Sequence, residues 1–225
     1  MNDIEQARQV VGHAAPAIDK IRPFYNHPDF IGANVEYLRD ALDEFEPAQR
    51  SSVKVAFTAH SIPLSMASGC RYESQLQMAA KLVAAAAGVL DWQLVYQSRS
   101  GPPTQPWLAP DILDYLRELK QQSVNNVVVV PIGFVSDHME VVYDLDTEAK
   151  QLAEQLDMKM VRARTAGTHP LFIHMIRELI LERMDQNIPQ RFLGEDGVLP
   201  DACLQECCSM SVSEGAPHSQ RVSTA

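Results

Sequence analysis

Residues 127–130 are four valines in a row, closed by Pro131, and this run narrows what the chain can fold into. β-Branched side chains favour extended backbone. A strand apolar on both sides belongs inside a parallel sheet with helices above and below it. Pro131 has no amide proton to offer a neighbouring strand, so the ladder ends there. Ile132, Gly133 and Phe134 then carry the chain off the sheet. Ser136, Asp137 and His138 lead into a helix bearing Glu140, Asp144 and Glu148. In open α/β sheets ligands bind beyond the carboxyl ends of the strands, so a polar cluster at that place is where chemistry is expected. Carboxylates four residues apart stack along one helical face, where like charges repel. Two readings follow: a solvated acidic face, or a row of oxygen ligands along which a divalent cation can step.

A second strand end bears on that choice. Residues 53–58 (VKVAFT) read as another buried strand, followed at once by Ala59, His60, Ser61, Ile62 and Pro63. A histidine there, with a proline fixing the exit, is placed to face the same crevice as the acidic helix. Alone it reads as a structural residue; paired with carboxylates across a crevice it is a candidate base or iron ligand. Further strands are expected at 93–98 and 158–162, with an edge strand at 17–24, where Pro23 is tolerated. Helices are expected at 4–11, from 33 or 34 to 46 with Val35, Leu38, Leu42 and Phe45 as its buried stripe, at 73–87 capped by Gly88, at 111–122, and at 170–184. Leu171, Ile173, Met175, Ile176, Leu179, Ile180 and Met184 of the last helix read as core. Trp107 is expected to pack the 111–122 helix on the sheet, and Arg99, in a polar and rigid turn, to be available to an anionic group. His169 and His174 show no evident partner in the sequence. Strands alternating with helices at this spacing predict a parallel, doubly wound α/β sheet.

Charge and composition remove several classes of function. The 225 residues suit one domain, or one and a fragment, and 46% of them are apolar, enough for a real core. Nineteen basic against 29 acidic residues leave a net charge of −10, which argues against nucleic acid and against an anionic membrane surface. No apolar run reaches the roughly 20 residues needed to span a bilayer. Residues 79–90 come nearest, but Lys81 interrupts them. Four cysteines without a signal-peptide pattern point to a reducing cytoplasm.

Three segments then become recognisable: FTAHSIP, YQSRSGPPTQPWLAPDI and VVPIGFVSDHMEVVYDLDTEA. In this order they resemble the signature segments of ferrochelatases, which insert ferrous iron into a porphyrin. The SRSGPP wording and the Cys-bearing tail look most like the actinobacterial type that uses coproporphyrin III, with protoporphyrin IX the other porphyrin of the family. The resemblance implies a chelatase-like (Rossmann-like) parallel sheet. It implies that His60 and Glu140 are the catalytic iron-site residues on opposite faces of the porphyrin, with Fe²⁺ the substrate metal. It places Asp144 and Glu148 on an outer delivery path and a π-type widening in their helix. Which of His60 and Glu140 is base and which is ligand stays open, and Asp137 and His138 are expected to support the helix start. The resemblance covers about 21–191, so residues 1–191 read as the C-terminal half of the ferrochelatase fold, with the N-terminal half missing and Met1 an internal start or truncation. Residues 192–225 read as a flexible Cys-containing tail. Some ferrochelatases hold a [2Fe–2S] cluster with three ligands in such a tail, which makes Cys203, Cys207 and Cys208 possible ligands; Cys70 is an imperfect fourth. The alternatives are a same-fold chelatase for another metal and tetrapyrrole, or an inactive half-chain that binds metal but cannot hold porphyrin.

Overall fold

The computed structural model describes residues 2–102 and 104–201. Four strands, β1 (Lys54–His60), β2 (Trp92–Gln97), β3 (Asn126–Val130) and β4 (Lys159–Arg162), form one sheet in the order β2-β1-β3-β4. Every pairing is parallel. Alternation along the strands splits the core in two. Val55, Phe57, Leu94, Tyr96, Val128 and Val130 face helices α2 (Pro28–Asp43), α4 (Tyr72–Ala87) and α8 (Pro170–Met184). Ala56, Val95, Val127 and Val129 face α5 (Ile112–Gln121) and the helical run after β3. All four valines of the run are completely buried, as a central strand covered on both sides requires. The sheet is therefore doubly wound.

The helical run after β3 has three parts: a turn of α-helix, α6 (Met139–Val141), a π-helical stretch (Val142–Ala149), and α7 (Lys150–Gln155). A one-turn helix, α3 (Leu64–Ala67), follows β1, and α1 (Asn2–Val11) opens the described chain. Gly88 ends α4 at φ 76°, a left-handed turn that glycine adopts without a Cβ clash.

Four expectations are corrected. Residues 17–24 form no strand: Arg22 is buried there, its guanidinium 2.8 Å from Glu182 Oε2 and 3.1 Å from Oε1, so the segment lies along α8 instead of a sheet edge. Helix α2 begins at Pro28, earlier than its apolar stripe suggested. Pro28 supplies a preset φ at the first turn, and His27 Nδ1 caps the helix by accepting from the Asp29 amide at 3.2 Å. On α8, Phe172, Met175 and Leu179 take the core stripe, which leaves Ile173, Ile180 and Met184 exposed. Helix α5 is seated by its own Ile112, Tyr115, Leu116 and Leu119, whereas Trp107 pairs with Pro63 and so braces the turn after β1.

A candidate metal centre beyond the strand ends

Strands β2 and β3 flank β1 on opposite sides, so the winding direction reverses at β1 and opens a crevice between the carboxyl ends of β1 and β3. His60 is the last residue of β1, and the 131–138 loop leaves β3 beside it. Gly133 sets how close the two come. A Cβ there would lie 2.6 Å from Ala59 Cβ and 2.8 Å from Ala59 Cα, so only glycine lets the loop rest on β1. Its amide donates to the Thr58 carbonyl at 3.0 Å, which ties the loop to the strand. The loop then delivers Glu140 to His60, with His60 Nε2 3.2 Å from Glu140 Oε1. Both side chains remain open to solvent, His60 at 36% and Glu140 at 43%.

The other ring nitrogen decides what Nε2 can do. His60 Nδ1 lies in close contact with the Ser61 carbonyl. A carbonyl oxygen only accepts, so Nδ1 carries a proton and Nε2 is the nitrogen that exchanges a proton or binds a metal. The backbone around His60 is held on three sides. Tyr72 donates its hydroxyl to the His60 carbonyl at 2.9 Å, the Ser61 amide donates to Gln97 at 2.8 Å, and Ser61 Oγ donates to Leu108 at 2.8 Å. Burial pushes the Tyr72 phenol up to about 12, with a further rise from Cys70, so its proton stays in place as a donor.

Asp144 sits at the end of the neighbouring strand. It accepts from Gln97 Nε2 at 3.2 Å and, in a short contact, from Ser98 Oγ. Ser98 adopts φ 62°, a left-handed conformation uncommon outside glycine, as the chain turns off β2. Burial also raises the carboxyl of Asp111 above its usual range, opposed by the Leu113 amide it caps and reinforced by Asp114 and Asp144. Glu148 lies further along the helix and is exposed.

Helix geometry bears on how the three carboxylates follow one another. Four residues of α-helix overshoot a full turn by about 40°, so a straight helix would swing the row aside. Pairing i to i+5 widens the turn, and a four-residue step then falls short. The π-helical stretch, which the family resemblance implied, spans Val142–Ala149 and so carries both Asp144 and Glu148. Arg162 secures this segment from β4: its guanidinium binds Asp146 at 2.6 and 2.9 Å and Asp137 at 3.1 and 3.3 Å. Burial works against its charge, but Asp146 and Asp137 more than offset that and raise its pKa. Asp137 thus does support the helix start, while His138 packs edge-on against Phe134, ring centres 5.4 Å apart.

Other sequence candidates fall elsewhere. His169 and His174 do have partners: His169 caps α8 and lies 3.0 Å from Glu36, and His174 lies 2.7 Å from Asp29. Among the described residues His27, Asp29 and Glu178 form a compact ligand-like group. Its chemistry is that of an ion network. His27 Nδ1 accepts from an amide, so Nε2 carries the proton of the neutral ring, and Arg191 already binds Asp29 at 3.2 Å and Glu178 at 2.7 Å. Arg99 donates to the Gln105 carbonyl at 3.4 Å. Cys70 is a free, partly buried thiol, and Cys203, Cys207 and Cys208 lie outside the described residues. No helix among the described residues is long and apolar enough to cross a membrane.

With this geometry in hand, the chain was compared with known proteins. A family model for ferrochelatases matches residues 1–184. A ferrochelatase of Rhodopirellula baltica is 50% identical over 207 residues, covering 92% of this chain and 59% of the relative. A coproporphyrin III ferrochelatase of Nocardia farcinica is 43% identical over 221 residues, covering 92% of this chain and 62% of the relative. The chain thus spans about three-fifths of the length of these curated relatives. Among solved structures, a multi-domain protein of Deinococcus radiodurans described as structurally similar to chelatases aligns with a TM-score of 0.49 at 16% identity, covering 76% of this chain and 35% of that one.

Proposed function

Because this chain belongs to the ferrochelatase family, we propose that its strand-end crevice is one wall of a centre that inserts ferrous iron into a porphyrin. The observation that carries this reading is the 3.2 Å approach of His60 Nε2 to Glu140 at the switch point of the sheet. Insertion exchanges two pyrrole protons for one Fe²⁺, with no change of oxidation state. It therefore needs a proton acceptor and an oxygen-rich, negatively charged approach for a hard cation. With Nδ1 committed to the Ser61 carbonyl, His60 offers Nε2 alone to the macrocycle. Glu140 balances the charge of whichever cation, proton or iron, stands at that nitrogen. Asp144 and Glu148 extend the carboxylates outward along the widened helix. The openness of His60 and Glu140 suits a site whose second wall closes over a flat macrocycle.

The porphyrin we propose is coproporphyrin III, supported by the SRSGPP segment and by the Nocardia relative, which bears that substrate in its name. Two pyrrole-facing residues and an acidic metal route work equally for protoporphyrin IX, so the experiment compares the two. The chain is combined with a polypeptide supplying the remainder of the Rhodopirellula relative and given Fe²⁺ anaerobically with either porphyrin. Absorbance should show iron coproporphyrin forming faster than protohaem. A preference for protoporphyrin IX overturns the substrate assignment, and insertion of Co²⁺ but not Fe²⁺ overturns the metal. The cysteines and acidic charge fit a cytoplasmic enzyme.

A further inference from the structure

Gln97 is 1% exposed, yet its Oε1 has no hydrogen-bond partner. A buried acceptor without a donor forfeits its hydration, so such groups in native proteins call for an explanation. Rotating the amide does not remove the problem. Nε2 must face Asp144, because two acceptor oxygens facing each other would repel, and Oε1 is then fixed on the other side of the same planar group. Gln97 pairs in register with His60, so both side chains project from the same face of the sheet, toward the helical segment that carries Glu140 and Asp144. One step back on that face, Thr58 Oγ1 is also buried without a partner. The Gln97 Oε1 lone pairs, on an amide bound to Asp144, are left for something that accepts them.

We infer that Gln97 is a neutral oxygen ligand for ferrous iron on its way between Asp144 and the His60–Glu140 pair, and also the residue that holds Asp144 in position. This rests on the reading of the acidic row as an iron route. An amide oxygen is a hard ligand of the kind divalent cations accept beside carboxylates. Being uncharged, it would bind iron without adding to the repulsion between Glu140 and Asp144, and would release it readily to the next site. The register places Gln97 beside His60, at the inner end of the route.

The test is direct Fe²⁺ binding to the chain by anaerobic calorimetry, without porphyrin, so that a failure to insert iron cannot be mistaken for a failure to bind it. Two substitutions separate the ligand role from the positioning role. Gln97→Leu removes both the oxygen and the donor to Asp144 and should weaken Fe²⁺ binding about tenfold or more, about 1.4 kcal/mol. Gln97→Glu loses the same donor and adds repulsion toward Asp144, but keeps an oxygen where Oε1 stands. It should bind Fe²⁺ at least as tightly as the parent. If Gln97 only positioned Asp144, Gln97→Glu would bind as weakly as Gln97→Leu, and that result overturns the ligand assignment. Unchanged affinity in both variants overturns it as well. Thermal unfolding of each variant checks the fold; if Gln97→Leu does not fold, the affinity of Gln97→Glu decides alone.

Discussion

At the scale of single residues, His60 and Glu140 were legible because each follows an apolar strand whose exit carries a proline, and chemistry in this architecture collects at such exits. Gln97 and Ser98 were not. An amide and a hydroxyl at a strand end look the same as an ordinary turn until the helix that faces them is known. Arg22 was hidden for a related reason: its partner Glu182 is 160 residues away, and nothing local signals that a charged residue will be buried. His27 is fully buried, and its titration should be visible in stability. Burial lowers its pKa; Asp29 pushes it back up, Arg22 down, Glu178 up and Arg191 down. The unfolded chain titrates near 6.5, so between that value and the lower folded one the unfolded state holds more protons. The stability due to a neutral His27 is complete above about pH 6.5 and is lost as pH falls through the folded pKa. Urea midpoints should therefore drop as pH falls below about 6.5, and His27→Asn, which retains an acceptor for the Asp29 amide, should flatten that drop. An undiminished slope in the variant would assign the pH dependence to other groups.

At the scale of elements, the valine run, the α4 cap at Gly88 and helix α8 formed where pattern and punctuation agreed. The misreadings arose where tertiary contacts overrode a local pattern. Residues 17–24 had a strand-like look, but the Arg22–Glu182 pair draws them to α8 and not to a sheet edge, and α8 carried more apolar residues than one helical face can bury, leaving Ile173, Ile180 and Met184 outside. The segment from α6 to α7 is the element on which the proposed function most depends. Four-residue spacing in the sequence suggested one acidic row, and the structure places Asp144 and Glu148 together in a π-helical stretch, Val142–Ala149. Glu140 lies 3.2 Å from His60, whereas Asp144 and Glu148 follow four and eight residues later along the helical run. Glu140→Gln should then lower kcat severely, while Asp144→Asn and Glu148→Gln should chiefly raise KM for iron, which steady-state insertion assays at varied Fe²⁺ would show. Equal kcat losses at all three positions with KM unchanged would contradict a graded route.

At the scale of the whole molecule, a doubly wound sheet aims its strand ends at one crevice, and ion networks hold the outlying segments against it. The stretch after α8 returns to the body. The Leu193 amide donates to Asn26 at 2.9 Å, Tyr25 donates to Asp196 at 2.6 Å, and Arg191 spans Asp29 and Glu178. His60 and Glu140 remain open to solvent at the carboxyl end of the sheet. The central claim is that these two residues form the inserting centre. Its most direct measurement is the anaerobic rate of iron coproporphyrin formation, followed by absorbance, with the chain and the complementing polypeptide present. The account predicts that His60→Ala and Glu140→Gln each lower kcat by about two orders of magnitude or more while melting as the parent does. Near-parental turnover by either folded variant would contradict it.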